Sequence, residues 1–261
     1  YVNGVLRAAA RDGLCLEKEF SSCGEEELLS LRYSIPRWLV EKFLSWYGRE
    51  ESERIFSAFF APPTFTVRVN VSKGEVSSCR EHLARAGILA REGEVFGALH
   101  LSGMETVMQL PGFDSGWFQV QDESAMLPVL CAGIKAGDYV IDCCAAPGGK
   151  TIQAADALLF AETGGGMAEC GMVSARDISD YKIAKIRENI ARCGFENIGL
   201  LLFDAALLRE EDVATADVVI ADLPCSGLGI IGRKPDIKYN ITPKDLEELS
   251  FSSNQSVVLA I

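Results

Sequence analysis

Apolar and polar positions change rhythm twice along the chain. Over residues 1–60 the apolar residues recur at helical spacing, with Leu39, Phe43 and Tyr47 forming one stripe after Pro36, a residue suited to a first helical turn. The run Glu25-Glu26-Glu27 reads as a solvated face or loop. Pro62-Pro63 closes this stretch. Phe65-Thr66-Val67-Arg68-Val69-Asn70-Val71 then alternates and is rich in β-branched residues, which predicts a strand. A short helix is expected over 79–90, ending at Gly87. Strand fragments follow to about Leu110, punctuated by Gly97, Gly103 and Pro111-Gly112. Residues 65–110 therefore predict a small α/β unit.

From Phe118 onward strands and helices alternate regularly. A helix-like stretch over 124–131 precedes a buried strand over 139–144, a Gly-rich turn and a helix over about 151–160. A second strand, 172–175, leads to Asp177. Ser179 is placed to cap a helix over 180–193, whose Ile183, Ile186 and Ile190 make one stripe and which Gly194 ends. A third strand, 199–203, leads to Asp204 and a fourth, 218–221, to Asp222. Continuous apolar strands between helices predict an α/β fold: a doubly wound, mostly parallel sheet covered on both faces. Gly164-Gly165-Gly166 reads as a flexible loop.

Composition narrows the class. The chain has 261 residues, 48% hydrophobic and 24% charged, which supports a packed core and argues against disorder or a fibre. Its length suggests one large domain plus something smaller. No apolar run approaches the ~18 residues that a membrane span needs. The segment 1–13 mixes arginines into apolar positions, unlike a signal peptide, so a cytoplasmic protein without membrane partners is expected. The chain opens at Tyr1 and closes inside Val257-Val258-Leu259-Ala260-Ile261, so both natural ends are expected to be missing. Nine cysteines form no CxxC pair, and His82 and His100 lie far from them in sequence; reduced core thiols and no metal are expected.

The densest chemical signal is Asp142-Cys143-Cys144-Ala145-Ala146-Pro147-Gly148-Gly149-Lys150. A Gly-rich turn after a first strand lets backbone approach a ligand and opens a helix whose N-terminus favours anionic groups. The block matches neither GxGxxG nor GxxxxGK[ST], because Cys144 stands where the latter needs Gly, which points away from a nucleoside triphosphate. Asp177, Asp204 and Asp222 each follow a strand end. One such acid alone is as readily a helix cap; three, aligned with the Gly turn, point to a nucleoside-type cofactor in one crevice. Asp222-Leu223-Pro224-Cys225-Ser226-Gly227 is either a plain turn with one more thiol or the setting of a reactive cysteine.

Cys144 to Lys150, the Asp-Leu-Pro-Cys-Ser-Gly loop and Arg233-Lys234-Pro235-Asp236-Ile237-Lys238-Tyr239 together resemble the RNA cytosine-5 methyltransferases of the NOL1/NOP2/Sun family. The likeness covers nearly the whole chain apart from roughly 14–30. Val2-Asn3-Gly4-Val5-Leu6-Arg7 resembles the last helix of a NusB-like domain. Ile35-Pro36-Arg37-Trp38-Leu39 and Arg68-Val69-Asn70 resemble the linking region and an RNA-recognition-like subdomain. The organisation implied is the end of a helical domain over 1–30, a helical linker with the small α/β subdomain over 31–115, and a Rossmann-like methyltransferase domain over 116–261. By this resemblance Cys144, Ala145, Ala146, Pro147, Gly148, Gly149 and Lys150 wrap S-adenosyl-L-methionine. Asp177 holds the ribose, Asp204 lies by the adenine, and Asp222 stands near the methyl donor and the target base. Leu223 departs from the family's Ala or Pro, and Phe203 from the Gly that commonly precedes the acid. The family's nucleophile, in a Thr-Cys pair, is expected beyond Ile261, with Cys225 assisting release; DNA cytosine-5 methyltransferases instead attack with their Pro-Cys cysteine.

The resemblance implies methylation of C5 of a cytidine, with 16S ribosomal RNA as the expected substrate and the enzyme a monomer. A transfer RNA substrate, or a catalytically silent RNA-binding scaffold, stays open. A net charge of −12 argues against RNA binding as a global property. Locally, 64–91 holds five basic residues against two acids, and 229–244 holds four against one. The RNA contacts expected are Arg68, Lys150, Arg233, Lys234 and Lys238.

Overall fold

The computed structural model describes residues 2–12, 23–62, 64–104, 106–162 and 171–250. The expected glycine loop at 164–166 and the apolar run 257–261 lie outside them. The chain divides into two compact units, residues 1–63 with 226–249, and 64–225 with 250–261.

The first unit is helical: α1 (Val2–Asp12), α2 (Glu25–Tyr33), α3 (Arg37–Ala58) and a short α8 (Ile237–Asn240). Glu25, Glu26 and Glu27 open α2 and do not form a loop, and acids in a first turn complement the helix dipole. Leu39, Val40, Phe43 and Phe56 of α3 bury with Leu29, Ile35 and Ile231. Tyr47 leaves the predicted stripe. Gly48 takes φ 72°, ψ 178°, the helix breaks there, and Tyr47 is left exposed while Phe56 returns to the core. The Tyr239 hydroxyl donates to the Ser34 carbonyl at 2.6 Å.

The second unit holds two four-stranded sheets. The first is antiparallel, β1 (Phe65–Val69), β2 (Leu89–Glu92), β3 (Ala98–Ser102) and β4 (Phe118–Val120), ordered β2-β3-β1-β4. Because β4 pairs with β1, this sheet runs past the expected boundary at 115, while the helical residues of 31–63 fall in the other unit. Val67, Val69, Leu99, Leu101 and Phe118 pack with Cys79 and Leu83 of α4 (Val76–Arg85). On the opposite face Arg68 pairs with Asp156, and Gln121 donates to Gln153. RNA-recognition sheets stack bases on an open face; here the central strand β1 is closed on both faces, with Thr66 and Arg68 as buried as Val67 and Val69, while the edge strand β2 is exposed.

The second sheet is parallel: β5 (Tyr139–Asp142), β6 (Met172–Asp177), β7 (Ile198–Leu202) and β8 (Val218–Ile220), ordered β7-β6-β5-β8. The order reverses between β5 and β8, the switch point at which such sheets bind ligands beyond their carboxyl ends. Ile152, Ala155 and Leu158 of α6 (Gly149–Glu162) and Ile183 and Ile186 of α7 (Asp180–Cys193) cover Val140, Val173 and Ala175. Helices were expected on both faces. Within this unit the other face, with Ile141, Arg176 and Val219, meets the segment 203–217 across a cavity of about 370 Å³. The β7–β8 connection has only a three-residue 3₁₀ turn and no α-helix to lay there. Between the sheets in sequence lies α5 (Glu123–Cys131). Among the described residues no helix is long and apolar enough to cross a membrane.

Candidate active site

The Gly turn joins β5 to α6 at the carboxyl edge, and four contacts fix its path. Ala145 N–H donates to the Arg176 carbonyl at 2.8 Å, and Gly148 N–H to the Ala145 carbonyl at 2.6 Å. Ala146 N–H donates to Asp177 Oδ2 at 3.0 Å, and Asn189 Nδ2 of α7 to the Pro147 carbonyl at 2.9 Å. Gly148 has φ 107°, and a Cβ there would touch Ile186 at 3.4 Å, so a side chain would be strained as well as crowded. At Gly149 a Cβ would meet only Gln121, at 4.0 Å, which leaves open space over the first turn of α6. The first N–H groups of that helix have no partners within it.

Asp177 is buried, and both its oxygens are engaged. Oδ2 holds Ala146, while Oδ1 accepts from the Ile178 N–H at 2.8 Å and from Lys182 Nζ at 2.9 Å. It braces the Gly turn, a role its strand-end position alone did not reveal. Ser179 caps α7 by accepting from Lys182 N–H, and Gly194 ends it at φ 64°, as the sequence predicts. Asp204 is half-buried, and its Oδ1 accepts from Ala206 N–H at 2.9 Å, a local turn beside β7.

Across the switch point, Lys150 Nζ contacts Asp222 Oδ2 at 2.5 Å; the lysine side chain is 16% exposed and the aspartate 57%. Asp142 ends β5 beneath this pair. Its Oδ2 accepts the Thr151 hydroxyl at 2.6 Å, and burial pushes its carboxyl up to about 6. Thr151 and Lys150 oppose that rise, and Asp222 adds to it. Asp142, Thr151, Lys182 and Asn189 were missed as site residues; the acid immediately before the cysteine pair was the one available signal. Burial pushes the Cys144 thiol up to about 11 and raises Cys143 too, so neither is a thiolate near neutral pH. Cys225 lies exposed in the loop after β8.

Two expected RNA contacts are overturned. Arg68 is 3% exposed and binds Asp156, Gln121 and Asn70, so its guanidinium serves the fold and offers nothing to phosphate. Lys238 is 7% exposed, its ammonium lies 5.3 Å from the centre of the Tyr239 ring, and burial pulls its pKa below the usual lysine range. Arg233 and Lys234, on the same segment, are exposed.

Known proteins resemble this chain over nearly its whole length. Residues 130–261 match the family model described as 16S rRNA methyltransferase RsmB/F, and 35–107 match a ferredoxin-like domain of the RsmF/B-like proteins. The ribosomal RNA small subunit methyltransferase B of Pseudomonas putida is 34% identical over 95% of this chain and 54% of its own length. A Bacillus subtilis protein, "Probable ribosomal RNA small subunit methyltransferase B", is 32% identical over 96% of the chain and 54% of its length. The chain therefore spans about half the length of these relatives. The crystal structure of PH0851 superposes with a TM-score of 0.81 at 26% identity, covering 91% of this chain and 52% of that one. Half of the sequence, including the Gly turn and all three strand-end acids, falls within the matched family model, and the chain belongs to the 16S rRNA methyltransferase RsmB/F family.

Proposed function

We propose that this chain carries the cofactor site and part of the catalytic machinery of an S-adenosyl-L-methionine-dependent RNA (cytosine-C5) methyltransferase acting on 16S ribosomal RNA. One observation carries the reading: the Gly turn braced by Asp177 adjoins the Lys150–Asp222 pair at the point where the strand order reverses. The donor set fits the cofactor. Unpaired N–H groups at the start of α6, with open space over Gly149, suit a carboxylate, and the Cys144–Lys150 turn supplies the wall. Asp177, with three of its roughly four acceptor positions taken by Ala146, Ile178 and Lys182, has one left for a ribose hydroxyl, and Asp204 stands at the next strand end for the adenine side. Bound there, the cofactor supplies an electrophilic methyl group on a sulfonium.

The rest falls to side chains. Cytosine C5 becomes nucleophilic once a thiolate has added to C6. No Thr-Cys pair occurs in these 261 residues, so the attack is assigned to a thiol outside them. Thiolate addition pushes electron density towards N3; the Lys150 ammonium beside Asp222 would offset that charge, and Asp222 would accept from the exocyclic amine to hold the base. Cys225, exposed in its loop, assists removal of the C5 proton and release of the adduct. The base must first leave its stack, and Arg233 and Lys234 are the cations assigned to the phosphates.

In the full-length protein Cys225→Ala should trap an RNA–protein adduct that survives denaturing electrophoresis. Loss of adduct and product together would instead make Cys225 the nucleophile. Replacing Arg233 and Lys234 with Ala should flatten the salt dependence of RNA binding by about one unit of slope per lost contact.

A further inference from the structure

We propose that Tyr239 is a positioning residue for Arg233 and Lys234, its hydroxyl fastening their segment to the Ser34 carbonyl at the turn between α2 and α3. This rests on the reading of Arg233 and Lys234 as phosphate contacts, and it gives the helical unit a part in binding RNA.

Arg233 and Lys234 lie exposed between two anchors on the same helical unit. On one side Ile231, 1% exposed, enters the apolar core with Leu39, Val40 and Phe56. Gly232 follows it against Phe59, where an added Cβ would lie 3.5 Å from the backbone. On the other side the Tyr239 hydroxyl donates to the Ser34 carbonyl at 2.6 Å, across 205 positions of sequence. Turn hydrogen bonds bridge the anchors. Arg233 and Lys234 N–H each donate to the Ile230 carbonyl at 2.9 Å, Ile237 N–H to that of Lys234 at 3.1 Å, and Tyr239 N–H to that of Asp236 at 3.0 Å. Ile237 also packs on the core, but apolar packing has no direction. The hydroxyl–carbonyl bond is directional, and it fixes how the span is turned.

The acceptor is unusual. Ser34 ends α2 at φ 51°, ψ 43°, a left-handed conformation that a side chain disfavours and that Gly commonly fills at helix ends. Among the described residues Ser34 and Ala214 are the only non-glycine residues with positive φ. The Ser34 carbonyl lies past the last turn of α2, outside its ladder of hydrogen bonds, and the hydroxyl of Tyr239 supplies a partner for it. Tyr239 is itself 60% exposed, so burial of its ring does not account for its place. A basic segment already held in one conformation meets phosphates at a smaller ordering cost than a loose one, and this is the gain the contact brings.

The test uses the full-length protein and Tyr239→Phe, which keeps the ring beside the Lys238 ammonium and removes only the hydroxyl. RNA affinity should fall about three- to tenfold, the worth of one hydrogen bond, while affinity for S-adenosyl-L-methionine keeps its wild-type value. KM for RNA should rise by the same factor with kcat little changed. A residue acting through Arg233 and Lys234 has nothing to position once both are alanine. In that double variant the further change Tyr239→Phe should leave RNA affinity where it is. Wild-type RNA affinity in Tyr239→Phe, a loss expressed in kcat and not in KM, or an equal loss in the double-alanine background each overturns the proposal. If the double-alanine variant itself binds RNA with wild-type affinity and salt slope, the phosphate reading fails and takes this inference with it.

Discussion

Two buried carboxylates of the second unit, Asp156 under the antiparallel sheet and Asp142 at the edge of the parallel one, are treated in opposite ways. On the antiparallel sheet Arg68 donates to Gln121 at 2.9 Å, Asp156 at 3.0 Å and Asn70 at 2.7 Å. Asp156 in turn accepts from the Val71 and Ser72 N–H groups and from the Ser72 hydroxyl. Every lone pair and proton that matters has a partner. On the parallel sheet Asp142 has one engaged oxygen and one orphan, and its neighbour Lys150 relies on an exposed aspartate. The saturated cluster joins β1 to α6 and serves as structure. The unsaturated one lies at a ligand edge, where incomplete pairing leaves charge available for chemistry.

Three substitutions would sharpen or break this contrast, taken here from the largest effect down. Asp156→Ala leaves Arg68 buried and unpaired and should cost about 3–5 kcal/mol of stability in urea denaturation. A loss below about 1 kcal/mol would show that the saturated cluster is not structural. Asp177→Ala should weaken S-adenosyl-L-methionine binding by about 1.5–3 kcal/mol, roughly ten- to a hundredfold by calorimetry. Unchanged affinity would remove Asp177 from the cofactor site and leave it a loop brace. At the small end, the exposed pair Arg80–Glu92, 2.6 Å apart, should show a coupling of about 0–1 kcal/mol in a double-mutant cycle. A larger value would mean that surface charge on the antiparallel sheet also carries fold energy.

Local rules carried the reading of the parallel sheet a long way. Its four strands and both covering helices stand within a few residues of where periodicity places them, because continuous apolar strands and a capped, striped helix are signals of short range. The Gly turn and the three strand-end acids were legible for the same reason. Basic residues were not. The segment 64–91 looked like an RNA surface by charge, yet Arg68 is spent inside the fold, Arg80 pairs with Glu92 and Arg85 with Glu81. The segment 229–244 misled at Lys238, which lies buried beside Tyr239.

By itself the sequence determined the elements, their order and the chemistry gathered at strand ends, since propensity, period and turn residues act over a few positions. Only the tertiary structure decided which charges are consumed and which stay available. Arg68 meets Asp156 across 88 residues and Lys150 meets Asp222 across 72. Burial and pairing of a charge depend on partners brought together by packing, and no local pattern records which partner a side chain will meet.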